Sequence, residues 1–200
     1  GEKLGVRVEA VREAVQTTEP HIFAQEWLNV WPSLATETVI DAHKWAALAR
    51  QDVTIGSFMV FGVDINPQRT RATIGAAGLN GPFCCLEIIE NENRIGWVKD
   101  RILQLWEQWK MPFCIDSGAA ASSLILELES EGVNVIPISM RQYGQACGSF
   151  YDAVESQTIA HMGDVRLQTA VEHATKRKLG EQWAWSRRSE EDITPLVAVS

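Results

Sequence analysis

The sequence predicts a mixed α/β layer fold, and three observations predict it. From residue 58 onward, three consecutive apolar stretches of strand length follow one another, separated by turn-forming residues. After them, helical-period segments alternate with short apolar runs, which is the pattern of a layered α/β sheet. Finally, two of the strand-like runs end in carboxylates: SFMVFGVDI carries Asp64 and PFCID ends on Asp116. An aspartate closing an apolar strand is costly to desolvate unless a cation or a hydrogen-bond network receives it. With a third acidic stretch near the C-terminus, SEEDITPLVAV, the pattern points to a carboxylate cluster that holds divalent metal.

The elements follow in order. Leu4, Val8, Val11 and Val15 recur at helical spacing, and Pro20 closes that segment. FAQEWLNVW forms a second short helix stopped by Pro32, and residues 38–50 a third. Residues 58–65 form a strand, and residues 69–77 its hairpin partner after the turn INPQ. Residues 83–90 are the third strand. Residues 96–110 make an amphipathic helix with Val98, Ile102, Leu105, Trp106 and Trp109 on one side, and the tryptophan stripe Trp97, Trp106, Trp109 is expected in the core. A buried strand at 112–116, a helix at 119–131 ended by Gly132, and a strand at 133–138 come next. Helices are expected at 142–160 and 166–175, a strand at 182–187 with Trp183 and Trp185 on one face, and a helix from Asp192.

Two hundred residues, 46% of them apolar, suffice for one domain with its own core. The four cysteines form no CxxC and read as reduced core thiols. No run reaches the length of a membrane span, and no signal peptide opens the sequence. The net charge of −8 argues against a nucleic-acid binder built on a broad basic face, but not against an enzyme whose clustered acids gather metal while basic contacts sit locally. The glycine start and the uncapped apolar end lead us to expect a domain of a longer protein.

Five stretches together resemble the nuclease domain of a bacteriophage terminase large subunit: FAQEWLNVWP, FGVDINPQRTRATI, PFCIDSGAAASSLILELESEGVNVIPI, TIAHMGDVRLQTAVEHATKRK and WAWSRRSEEDITPLVAVS. The first is similar to the segment leading in from the motor's ATPase. The others resemble, in order, the first strand and hairpin, the second acidic strand with its helix, the late His-containing region, and the final arginine-bearing strand. The resemblance implies a ribonuclease H-like mixed sheet flanked by helices over 51–200, with a helical leader over 1–50. It implies a metal-dependent endonuclease that cuts concatemeric double-stranded DNA in the host cytoplasm. It also implies an ATPase domain, a portal and a small terminase subunit as partners. His173 departs from the family, which often has asparagine there. No GxxxxGK[ST] phosphate loop occurs, so this sequence carries no translocating ATPase of that kind.

Phosphodiester hydrolysis by two metals needs a shared carboxylate and further oxygen ligands. Asp64 suits the bridge, because a strand end fixes its direction. Asp116, on what the resemblance implies is the neighbouring strand, and Asp192, at a helix start, complete the set, with Glu190 and Glu191 as second candidates. Hard oxygen ligands point to two Mg²⁺ or Mn²⁺ ions rather than zinc. Taken singly, Asp116 also fits a helix cap and Asp192 a first-turn acid. Lys176, Arg177, Lys178, Arg187 and Arg188 are candidate phosphate contacts, Arg187 and Arg188 gaining from their closeness to Asp192. His161 reads as the end of a helix, and the resemblance implies a place for it near the site.

Two other readings compete. Another ribonuclease H-like phosphoryl transferase, of resolvase or integrase type, shares the acids but not the FAQEWLNVWP leader. A non-catalytic docking module of the packaging machine shares the fold without the chemistry. A nucleotide-binding domain of actin or sugar-kinase type needs a glycine where Asn66 stands and a second lobe for which the sequence is too short.

Overall fold

The expected meander is present. The computed structural model describes residues 38–200, and the helices expected around residues 4–15 and 23–31 lie outside them. β1 (Met59–Ile65), β2 (Arg71–Asn80) and β3 (Phe83–Asn93) pair antiparallel in sequence order. The first turn is closed by Asn66, whose Oδ1 accepts the backbone N–H of Thr70 at 2.8 Å and of Arg71 at 3.0 Å. β4 (Phe113–Asp116) runs parallel to β1, and β5 (Val135–Ile138) parallel to β4. β6 (Ile159–His161) is parallel to β3, giving the order β5-β4-β1-β2-β3-β6. A separate hairpin joins β7 (Lys176–Leu179) to β8 (Gln182–Trp185).

Helices cover both faces. α1 (Ala42–Ala47), α4 (Met140–Glu155), α5 (Val165–Glu172) and α6 (Thr194–Val199) share one core, in which Trp45, Phe150, Leu167 and Leu196 meet Leu86 and Trp185. α2 (Val98–Trp109) and α3 (Ile125–Ser130) share the other, where Ile102 and Leu128 meet Phe61, Val63 and Ile115. Strand alternation then decides where the acid goes: Val63 and Ile65 enter the second core, so Asp64 points to the first face.

α6 lies unusually close to the sheet. Gly62 and Gly75 face each other in register, and together they leave a side-chain-free patch beneath the helix. A Cβ on Gly62 would overlap the Ala198 carbonyl oxygen, and one on Gly75 would sit 2.6 Å from Val199 Cγ1. This approach is what brings Asp192 and Thr194, at the start of α6, over the middle of the sheet.

Several expectations need correction. The helix expected over 142–160 ends at Glu155: Gln157 turns with φ 57°, and Ile159, Ala160 and His161 form a strand. Three residues are too few for a period of two to stand out from the helical pattern before them. His161 is therefore a strand residue and not a helix end. The helix expected over 119–131 is split into a 3-10 turn, Ala120–Leu124, and α3. The basic run 176–179 is β7, which alternation had not marked because its outward residues are all charged. The tryptophan stripe is marginal rather than central, since Val98, Ile102 and Leu105 fill the buried face of α2 and Trp109 is 47% exposed. Trp183 and Trp185 do share a face, with ring centroids 4.8 Å apart. The four cysteines are free thiols. Among the described residues no helix is long and apolar enough to cross a membrane.

Candidate active site

Adjacent parallel strands place two of the nominated acids side by side. Val63 of β1 is paired with Ile115 of β4, and the next residues, Asp64, one before the end of β1, and Asp116, the last of β4, lie side by side at the same edge. Across the other neighbours of β1, Asp64 is in register with Thr73, and Thr73 with Asn91. Residues directly opposite in a sheet project to the same side, so a polar row crosses the apolar sheet.

That row meets the start of α6. Asn91 Nδ2 donates to Thr73 Oγ1 at 2.7 Å and to Asp192 Oδ2 at 2.9 Å. Thr194 donates to Asp192 Oδ1 from its backbone N at 3.0 Å and from its hydroxyl at 2.8 Å. Asp192 is thus held on both carboxylate oxygens by neutral donors, and Thr194 is itself 2.7 Å from Thr73 Oγ1. Asp116 Oδ1 accepts the Gly118 N–H at 2.9 Å, a local turn rather than a helix cap, because the 3-10 turn that follows has Ala119 at its start.

Arg187 joins the acids. Its Nε and Nη2 donate to Asp64 Oδ1 at 3.1 and 3.0 Å, and Nη2 also donates to Asp116 Oδ2 at 3.1 Å. Asp64 is 1% exposed, and its second oxygen, Oδ2, is buried with no hydrogen-bond partner. Burial pushes the Asp64 carboxyl up to about 7; Arg187 opposes that shift, while Asp116 and Asp192 add to it. The cleft beside these groups has a volume of about 290 Å³ and is lined by Asp64, Arg71, Arg187, Glu190, Glu191 and Asp192, among others.

The structure therefore brings Asp64, Asp116, Asp192 and Arg187 together, with Glu190 and Glu191 on the cleft wall. Lys176, Arg177 and Lys178 do not line this cleft, nor does Arg188. Lys176 lies over the Trp183 and Tyr151 rings, at 4.3 and 4.6 Å from their centroids. His161 is 5% exposed and stacks on Trp45 at 4.1 Å; its Nε2 lies 3.0 Å from the Trp45 carbonyl, and its Nδ1 accepts the Gly163 N–H. Burial pushes its pKa down. Thr73, Asn91, Thr194 and Arg71 belong to the site and went unnoticed in the sequence. Thr73 and Asn91 were hidden inside strands, although a polar residue at an inward strand position is a usable signal.

The donor set fits a hard divalent cation in kind. It offers three carboxylates, one with a buried oxygen lacking any partner. Among the described residues, however, no group of three or more His, Cys, Asp or Glu converges closely enough to hold a metal as the side chains stand. Arg187 instead spans Asp64 and Asp116.

No protein-family model matches the chain, and no curated protein matches it by sequence. Solved structures do match. The large terminase of bacteriophage HK97 aligns with 80% of this chain at a TM-score of 0.66 and 9% identity, this chain spanning 42% of that protein. The large terminase nuclease of thermophilic phage G20c aligns with 80% of this chain and 94% of its own length, at a TM-score of 0.62 and 12% identity. The same nuclease with bound magnesium aligns at a TM-score of 0.61 and 12% identity, over 82% of this chain and 95% of that one. The fold is the ribonuclease H-like fold of terminase nuclease domains.

Proposed function

We propose that this chain is the endonuclease domain of a viral DNA-packaging terminase and hydrolyses phosphodiester bonds of concatemeric double-stranded DNA. The observation that carries the reading is the approach of Asp64, Asp116 and Asp192, from β1, β4 and the start of α6, to one another beside an open cleft, with Asp64 buried and one of its oxygens lacking a partner. Acids gathered in one place repel one another, and a cation or a proton relieves them; Arg187 supplies part of that charge here, and Asp64 Oδ2 is left without a partner. The fold likeness supports it, as does the magnesium bound by a terminase nuclease of the same fold.

Asp64, Asp116 and Asp192 are the residues that would hold two Mg²⁺ or Mn²⁺ ions. Bound there, such ions lower the pKa of a water and neutralise charge at the reacting phosphate. The chain's own groups prepare that chemistry. The Asn91–Thr73–Thr194 network fixes the Asp192 carboxylate, and the Gly118 N–H fixes Asp116. Arg71, half exposed on the cleft wall 3.8 Å from Asp192, is placed to take a phosphate oxygen of the DNA backbone. In the whole protein the domain would work beside an ATPase domain, a portal and a small subunit.

The test is incubation of the protein with supercoiled and linear plasmid in Mg²⁺, Mn²⁺ or chelator. Cleavage of both substrates with either metal, and none in chelator, is the expected result. Undiminished cutting in chelator contradicts the metal-dependent reading. If a branched duplex assayed alongside them is cut in marked preference to the linear one, a resolvase is favoured instead.

A further inference from the structure

The position of Arg187 goes beyond the proposed chemistry, although it rests on the reading of this site as a metal-dependent nuclease. The side chain is 12% exposed and makes three N–H···O bonds to two acids. Its guanidinium carbon lies over the Tyr143 ring, 4.6 Å from the centroid, so the cation faces an aromatic ring. Tyr143 comes from α4 and is itself buried. The arginine is thus clamped between a helix and the ends of two strands, and it satisfies one oxygen of Asp64 while Oδ2 stays without a partner.

We propose that Arg187 is a tethered cation that competes with divalent metal for Asp64 and Asp116, so that the site admits metal only as Arg187 gives up one or both acids. Two physical points support this. Asp64 Oδ1 and Asp116 Oδ2 are the oxygens that the guanidinium fork occupies, and a dication near them is repelled by the arginine charge. The residue also sits in the connection between β8 and α6, residues 186–193, outside any helix or strand, so no hydrogen-bonded ladder has to break for it to shift. The same connection carries Glu190, Glu191 and Asp192 along the cleft wall. Release of Arg187 and the settling of the third acid are therefore coupled through a few residues of backbone. A guanidinium freed from the acids would remain beside the cleft, where a DNA phosphate is its natural partner. Metal and DNA would then assist each other's entry, and the metal-free domain would stay closed to both.

The test measures Mg²⁺ binding by calorimetry at pH 8.5 for the wild type, Arg187→Lys and Arg187→Met, with melting curves in chelator. Lysine keeps the positive charge beside Asp64 but replaces the fork with a single point. Arg187→Lys is expected to bind Mg²⁺ roughly tenfold more tightly than the wild type, the order of gain from removing a competing charge-assisted contact. Arg187→Met is expected to melt well below the wild type in chelator, because it strands a buried carboxylate, and to regain most of that loss when Mg²⁺ is added. If Arg187→Met fails to fold, the lysine variant carries the comparison alone. Metal binding by Arg187→Lys at wild-type strength or weaker overturns the proposal and makes Arg187 a positioning residue for the acids. A wild type that binds no Mg²⁺ at any concentration overturns the metal reading itself, a different failure from the first.

Discussion

Asp64 is the residue on which the chemistry and the stability of this protein meet. Its carboxyl is buried on the face opposite Val63 and Ile65, and its raised pKa has a definite consequence for folding. In the unfolded chain an aspartate titrates near ~3.9, whereas the folded protein keeps this proton up to about 7. Between those values the native state binds the extra proton, so this group makes stability fall as pH rises, by up to ~1.4 kcal/mol per pH unit. The stability it contributes is fully present below the unfolded value and is lost through the folded one. Melting curves in chelator should therefore show the wild type losing stability from pH 5 to pH 7.5 relative to Asp64→Asn, which lacks the titration. Parallel pH profiles for the two proteins would contradict the burial argument. The sequence disclosed Asp64 and Asp116 because a carboxylate ending an apolar strand breaks the local pattern visibly. Arg187 was legible only as one of several basic residues near Asp192, since nothing in the linear pattern pairs it with strands more than seventy residues away.

Among the elements, α6 governs the site because it lies on bare backbone. The glycine pair Gly62 and Gly75 lets the helix approach the sheet, and the approach delivers Asp192 and Thr194 to the polar row of Thr73 and Asn91. Gly62→Ala should cost about 1–3 kcal/mol, as overpacking does, and lower the rate of DNA cleavage by displacing Asp192. Gly148→Ala is the matched control. It lies within α4 with open space around its would-be Cβ, so relief of glycine's cost in a helix should raise the melting temperature slightly. A destabilised Gly148→Ala, or an unaffected Gly62→Ala, would remove the close-approach account. The meander, α2 and the acidic strands were readable from period and punctuation. β6 and β7 were not: one has three residues, and the other is a charged hairpin strand whose outward side chains carry no apolar alternation. The tryptophan stripe of α2 has the helical period of a core face, but it flanks the buried face that Val98, Ile102 and Leu105 already fill.

At the scale of the molecule, charge and shape set the terms of DNA binding. A protein of net charge −8 has little broad attraction for a polyanion, so affinity must come from a few local cations and fall steeply with salt. Arg71 borders both the acidic cleft and a neighbouring one lined by Asn91, Arg166 and Thr169. Arg71→Ala should weaken duplex binding and reduce the salt slope by about one counterion, read by fluorescence anisotropy across a salt series. Lys178→Ala, on the β7 hairpin and away from the cleft, should leave both unchanged. Equal losses for the two variants would extend the DNA path to the β7 hairpin, whose Lys176, Arg177 and Lys178 are among the candidate phosphate contacts of the sequence.

The central claim is that three aspartates from separate elements act as one metal-holding unit, and single-turnover cleavage of linear duplex DNA in saturating Mn²⁺ tests it most directly. Wild type, Asp64→Asn, Asp116→Asn and Asp192→Asn should be compared after melting curves in chelator have shown each variant folded. Asparagine keeps the shape of each side chain and removes the charge. Asp64→Asn should abolish cleavage, and Asp116→Asn and Asp192→Asn should each slow it by several orders of magnitude, while all three stay folded, relief of repulsion within the cluster being set against the loss of charged Arg187 contacts at Asp64 and Asp116. Wild-type cleavage by Asp116→Asn or Asp192→Asn, with a melting temperature lowered by the loss of a turn or helix-start contact, would contradict the account and leave that aspartate a structural residue only.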